Sequence, residues 1–523
     1  MRKPSQDEVI AFLSDSRNLP GHEAVETVRT HGALVFLCGS YAYKIKRDVR
    51  YNYLDFSTLQ KRHEMLLREL ELNAPTAPSI YRDVIALTRD ADGQLHLGGE
   101  GEVVEWVLRM QRFDTDDELD KVAARGALDD QVAERLGEVV AQYHAQNKVC
   151  ADVSGADLIG AILDELNSSF ATMTDHLDGA QNDRFHTISD GAYRRAVASL
   201  NARADAGHVR RCHGDLHLRN IVLIDGVPTP FDALEFDETL GTSDVLYDLA
   251  FLLMDLRHAE LPRAANITLN SYLFYAPGGD HQGGNYAGLS LLPLFQSIRA
   301  AIRAMVVVQT TRVNPDDPAL LPGARKYMSE ALDYLAPAPA QLIAVGGASG
   351  TGKTVLAKSL CPQIGAAPGA VHLRSDLERK ALFGVPPLTR LPPRAYGSEI
   401  SRRVYDVMRI KAYAALMAGH SVVMDATWLS EDERKTLSEL AGQTGAGFSG
   451  LWLSADTPVL QARVGARNHD ASDADATVVH RQAQCLNPPS NWRFIDASGD
   501  PTNTFAEAIG ALSGSAKPRT GTG

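Results

Sequence analysis

The segment Gly347-Ala-Ser-Gly-Thr-Gly-Lys-Thr354 constrains this chain more than any other. It satisfies G-x-x-x-x-G-K-[S/T], follows the apolar run Leu342–Val345 and precedes a helical pattern. That strand-loop-helix context is the one in which the spacing binds phosphate. Gly347, Gly350 and Gly352 let the backbone wrap closely, so that successive N–H groups and the helix N-terminus face an anion. Ser349 and Thr351 complete the loop. Lys353 is expected to reach the β- and γ-phosphates of ATP, and the Thr354 hydroxyl to hold Mg²⁺.

Around this loop the pattern alternates between strand and helix, with strands at 342–345, 370–373, 421–424, 450–453 and 493–495. Alternation of this kind predicts an α/β domain with a five-stranded parallel sheet and right-handed crossovers. The alternating Pro and Ala of Ala336–Ala340 read as a semi-rigid spacer. The small, polar stretch 513–523 reads as a disordered tail. The chain thus divides into residues 1–335, a linker at 336–340, a P-loop domain at 341–512 and the tail.

With 523 residues, 44% hydrophobic and 22% charged, more than one core is expected in an ordinary globular chain. No uninterrupted apolar run approaches the roughly 20 residues of a membrane helix, so no membrane partner is expected. The five cysteines are scattered and form no C-x-x-C pair, which fits a reducing cytoplasm rather than a disulfide framework or zinc site. The net charge of −13 is uneven: residues 341–523 hold 19 Lys and Arg against 16 Asp and Glu, leaving 33 against 49 before them. An acidic first part argues against nucleic acid there and tolerates a cationic substrate.

Three further elements in the second part fit a small-molecule kinase. Arg374-Ser-Asp-Leu-Glu-Arg-Lys380 follows the second strand, at the carboxyl edge where ligands bind open α/β sheets. There Asp376 is placed to accept a proton from a hydroxyl, and Arg379 to grip an anionic substrate or phosphate. Asp425 ends a strand where an acid would orient Mg²⁺ or its water. Arg463 and Arg467, at i and i+4, share a helical face that could close over phosphates. The region resembles the P-loop kinases related to gluconate kinase, shikimate kinase and zeta-type toxins. That resemblance implies Asp376 as catalytic carboxylate and Arg463 and Arg467 as lid arginines.

The first part carries a second anchor, Arg211-Cys-His-Gly-Asp-Leu-His-Leu-Arg-Asn220. An Asp five residues before an Asn, with a strand at 221–224 next, matches the catalytic loop of kinase-fold enzymes. In that loop Asp215 would orient or deprotonate the acceptor hydroxyl and Asn220 would bind Mg²⁺. Asp232, twelve residues after Asn220, is the candidate second metal carboxylate. Singly, these residues could all be turn formers. Upstream, the strands at 34–37 and 41–46 join through Cys38-Gly-Ser40, a helix runs over 57–72, and another strand spans 103–108. Lys44 and Lys46 share one face of their strand. Lys44 is preferred as the ATP-phosphate lysine, with Glu69 as its helix partner and Glu64 as the fallback. The stretch 103–110 would supply the adenine hinge.

These residues, over about 20–335, resemble the aminoglycoside phosphotransferase family. The resemblance implies an α+β protein-kinase-like domain acting on antibiotic or metabolite hydroxyls, with Asp248 as the helical acid near the loop. No G-x-G-x-x-G loop precedes Lys44; only Gly32 stands there. The fusion of both halves resembles bacterial bifunctional aminoglycoside phosphotransferase/ATP-binding proteins. The expectation is a cytoplasmic enzyme with two sites, each moving the γ-phosphoryl of Mg-ATP to a small-molecule hydroxyl. The alternatives are one kinase domain regulated by a nucleotide-binding partner domain, or a zeta-toxin-like regulator.

Overall fold

Alternation along Tyr41–Lys46 sends Tyr43 and Ile45 to one face of a sheet and Lys44 and Lys46 to the other. This computed structural model describes residues 6–51, 54–276, 284–313, 320–466, 470–484 and 487–514. The chain packs as two compact units, 1–153 with 207–252 and 154–206 with 253–523.

In the first unit, six strands pair antiparallel in the order Glu26–Arg29, Ala33–Cys38, Tyr41–Lys46, Glu102–Gln111, Tyr81–Arg89, Leu95–Leu97. One face buries Phe36, Tyr43, Ile45, Leu87 and Val107 together with Val9 and Leu13 of helix Gln6–Ser14. The other packs Tyr81 and Leu108 against Leu66 of helix Leu59–Asn73. That helix starts at Thr58, whose hydroxyl accepts the Lys61 N–H at 3.2 Å. Glu26–Arg29 escaped the sequence reading because all four of its residues are exposed, so it carries no apolar alternation. Tyr81–Arg89 escaped because two register shifts against its neighbour break its alternation.

In the second unit, five parallel strands stand in the order Val371–Arg374, Val422–Asp425, Gln341–Gly346, Gly447–Ser454, Arg493–Asp496. Ile343, Val345, Val423, Leu451 and Leu453 form the core with Leu356 and Leu360 of helix Lys353–Leu360. A strand buried on both faces reads as a continuous apolar run, which is why this sheet was legible. Residues 337–340 have no regular structure between helix Leu320–Tyr334 and the first sheet strand. The tail beyond 514 and Cys485 lie outside the described residues. The other four cysteines are free thiols.

The helical stretch Gly284–Thr311 is long and apolar enough to cross a membrane by length and composition, which a search for unbroken apolar runs missed. Its most apolar window is 67% buried, as a core helix would be.

Candidate active sites

The first site is built where the strand lysines meet helix Leu59–Asn73. Glu69, fully buried, offers one carboxylate oxygen to each lysine: Oε1 to Lys44 Nζ at 2.7 Å and Oε2 to Lys46 Nζ at 2.6 Å. Lys44 also reaches Asp232 Oδ1 at 2.7 Å, and Lys46 reaches Glu235 Oε1 at 2.5 Å. Both lysines therefore use Glu69, and Lys44 alone meets the candidate metal acid. Among the described residues, Glu64 accepts an exposed bond from Gln60 and meets neither lysine. Burial pushes the Lys44 ammonium down, but Asp232 and Glu69 outweigh it and hold it well above the ordinary lysine range.

Backbone bonds fasten the candidate catalytic loop, residues 211–220, to the candidate metal segment, residues 230–237. Phe231 donates to Asn220 O and Leu234 donates to His213 O, both at 2.9 Å. Gly214 turns with φ +83°, and a Cβ there would come within 3.1 Å of Leu234. Asp248, fully buried, accepts the N–H of His213 (3.1 Å), the N–H of Gly214 (2.9 Å) and His144 Nε2 (3.1 Å). Its role is to anchor the loop. Asn220 Nδ2 donates to Asp215 O at 2.9 Å and to Asp215 Oδ2 at 3.0 Å. Asp232 sits at φ +58°, a left-handed conformation uncommon outside glycine. Its N–H donates to Tyr81 Oη at 3.0 Å, and the next N–H, of Ala233, to Asn73 Oδ1 at 2.9 Å. Asn73 closes the helix that carries Glu69, so helix, lysines and metal segment form one frame. Glu235, Asn73 and Tyr81 carry no site signal in the sequence, and Lys46, the alternative to Lys44 there, joins the same glutamate.

The second site surrounds the P-loop. Gly347 (φ +134°) and Gly350 (φ +90°) admit no side chain: a Cβ would lie 2.4 Å from Leu453 O and 2.8 Å from Leu460 O. Thr354 Oγ1 donates to Asp425 Oδ2 at 2.6 Å, joining the two residues expected at a metal. Lys353 Nζ donates to Ala348 O at 2.9 Å, and Thr351 Oγ1 to the same oxygen at 2.8 Å. The Ser349 N–H donates to Gln482 Oε1 at 2.7 Å. A cavity of about 990 Å³ is lined by Ser349, Gly350, Lys353, Thr354, Asp425 and Gln482 with Asp376, Arg379 and Arg463.

Burial raises the Asp376 carboxyl above the ordinary aspartate range, against the opposing pull of Arg374. Arg379 is buried and already engaged. It donates to Ala395 O at 2.7 Å and to Ser401 Oγ at 3.3 Å, and it stacks over Tyr396 at 4.8 Å. Arg463 differs from a free lid arginine: it ties down the loop after the last strand, donating to the carbonyls of Ala497 (2.6 Å), Gly499 (3.0 Å) and Ser498 (3.3 Å). A helix end near exposed carbonyls is a ready partner for a guanidinium, which spacing alone could not reveal. Arg467 lies outside the described residues. Two contacts unforeseen in the sequence cross the cavity rim. Arg374 pairs with Asp470 at 3.2 Å, and Lys380 with Asp473 at 2.6 Å.

Both sites fit a divalent cation by charge. Asp215 and Asp232 repel one another, as do Asp376 and Asp425, and a cation between such carboxylates relieves that repulsion.

Comparison with known proteins places these sites in context. Residues 66–284 match the model of the phosphotransferase enzyme family, and residues 342–489 match an AAA domain model. Uncharacterized proteins of Mycobacterium tuberculosis and Mycobacterium bovis are 28% identical over 505 residues, covering 94% of this chain and 96% of theirs. Among solved structures, a choline/ethanolamine kinase family protein from Mesorhizobium loti is 17% identical with a TM-score of 0.38, covering 63% of this chain and 98% of its own. A gluconokinase from Sinorhizobium meliloti is 19% identical with a TM-score of 0.26, covering 34% and 94%. The chain thus carries a region similar to the phosphotransferase enzyme family followed by a region similar to the AAA domain.

Proposed function

We propose that this chain is a two-site phosphotransferase, each site transferring the γ-phosphoryl of Mg-ATP to a hydroxyl of a small molecule such as a sugar, an aminoglycoside or a related metabolite. One observation supports the reading: each site brings a lysine together with oxygen-bearing side chains of the kinds that metal-side and acceptor-side roles need. The sets are Lys44, Asn220, Asp232 and Asp215 in one, and Lys353, Thr354, Asp425 and Asp376 in the other. Such sets do little covalent chemistry of their own; they position phosphates and stabilise charge.

In the first site, Asp215 is held by Asn220 and by the Asp248 anchor, so its carboxylate stands ready to orient a hydroxyl and take up its proton. Lys44, kept charged by two carboxylates, would hold phosphate oxygens, and Asn220 and Asp232 would hold a divalent cation beside it. In the second site, the P-loop N–H groups and Lys353 hold the phosphates, and Asp376 takes the acceptor proton at a raised pKa suited to a base. Mg²⁺, when bound, supplies charge neutralisation between the β- and γ-phosphates. The Pro/Ala segment 336–340 is proposed as the linker between the residues that carry the two sets, and the partners as small molecules of the cytoplasm.

Equilibrium binding of ATP with Mg²⁺ tests the reading. Two nucleotides per chain are expected for the wild type, and one for Lys353→Ala with the first site intact. A single nucleotide in the wild type would contradict it.

A further inference from the structure

Strand Val371–Arg374 lies at the edge of the parallel sheet, paired only with Val422–Asp425. Its groups alternate: Val371 N–H goes inward to Ser421 O, so Ala370 O and His372 N–H face away from the sheet. An unmet row of this kind is costly when buried. Here two asparagines of helix Pro262–Tyr275 meet it within the same compact unit. Asn266 Nδ2 and Asn270 Nδ2 donate to Ala370 O at 3.0 and 3.2 Å, and His372 N–H donates to Asn270 Oδ1 at 2.6 Å. Asn270 thus acts as one peptide unit of a missing sixth strand. Asn266 is 2% exposed, and its amide lies where a Cβ on Gly369 would come within 2.8 Å. The fit is close on both sides.

The residue pinned this way points back into the site. The His372 side chain is 7% exposed, and its Nε2 stands 3.5 Å from Asp425 Oδ2, with no nearer partner for that nitrogen among the described residues. Asp425 Oδ2 is the oxygen that accepts from Thr354 Oγ1. Four groups stand in line: the Asn270 amide, the His372 main chain and ring, the Asp425 carboxylate and the Thr354 hydroxyl. We propose that His372 is a positioning residue for Asp425, and that Asn270, from a helix preceding the 336–340 segment, fixes His372 in register. The P-loop site is then completed by the region before it in the chain and is no free-standing module. This rests on the reading of Asp425 and Thr354 as the metal-side pair.

The test uses the full chain and hydrogen exchange of the amides at 347–354, which separates this site from the other. Protection by ATP is titrated against Mg²⁺. A residue that orients a metal-side group typically changes metal affinity about 10- to 100-fold when lost. His372→Leu is therefore expected to raise the Mg²⁺ midpoint about tenfold, and His372→Gln, which keeps a donor near Nε2, to restore it to near wild type. Asn270→Ala is expected to raise it about threefold, because it acts one step further away. ATP protection without Mg²⁺ stays unchanged in all three. An unchanged midpoint in His372→Leu, or equal loss of protection with and without Mg²⁺, would overturn the proposal. Should His372→Leu fail to fold, an unshifted Asn270→Ala overturns it alone. Absence of any ATP protection in the wild type would instead remove the underlying reading of the P-loop site.

Discussion

Replacing Asp248 by Asn changes one atom in a fully buried position and should dismantle the first catalytic loop. The carboxylate satisfies three donors with two oxygens: Oδ2 takes His213 N–H and His144 Nε2, and Oδ1 takes Gly214 N–H. An amide has one acceptor oxygen and one donor nitrogen. With the oxygen at the Oδ2 position, its NH₂ opposes the Gly214 N–H; flipped, two donors lose their acceptor. Each buried donor left unmet costs about 1–3 kcal/mol, and the surviving bonds lose their charge assistance. Relief of a buried charge offsets part of this, so a net local cost of about 2–4 kcal/mol is expected. That corresponds to roughly 30- to 1000-fold faster exchange of the His213 and Gly214 amides. The assay is amide exchange over 211–220, run beside phosphoryl transfer by each site. Loss of first-site turnover with the P-loop site unaffected is expected. Wild-type exchange and turnover in Asp248→Asn would refute the anchoring argument.

The remaining predictions concern charge. Asp376 has its folded-state pKa raised by burial, so its ionised form costs stability: the wild type loses stability as pH rises from the unfolded value through the folded one. Asp376→Asn should therefore raise the melting temperature of the second unit at pH 7 while abolishing its transfer. The gain should vanish below about pH 4, near the unfolded aspartate value. A lowered melting temperature at pH 7 would contradict the burial argument. Wild-type transfer at that site should likewise fall as acid protonates the same carboxyl. Glu69→Gln leaves two buried ammonium groups short of a carboxylate and should cost about 3–5 kcal/mol in urea unfolding. Glu64→Gln, on the exposed face, should stay within about 0.5 kcal/mol. Equal effects would mean the lysine frame is misread.

Much of this was legible because buried parallel strands and phosphate loops are written locally. The P-loop needs its glycines at fixed spacing, and the five strand segments read around it fall within a few residues of the observed strands. Asp215, Asn220 and Asp232 could be grouped from the sequence for the same reason: two short, bonded loops hold them. What the sequence hid depends on distant partners. Nothing near Lys46 announces Glu235, 189 residues away, and both lysines meeting on one glutamate could not be read from strand alternation. Arg463 spends its guanidinium on carbonyls of a loop more than thirty residues on, so its spacing to Arg467 promised a lid role that its bonds do not display. The asparagines at 266 and 270 carry no motif at all; only a sheet edge gives them meaning.

The central claim is that two separate sites each transfer phosphate. Its most direct test gives γ-labelled Mg-ATP and a pool of cell metabolites to the wild type, Asp215→Ala and Lys353→Ala, and resolves the labelled products. The account predicts distinct products, one set lost only in Asp215→Ala and the other only in Lys353→Ala. A single variant that removes all labelled product, with the other merely changing its rate, would make one domain a regulator and contradict the two-site account.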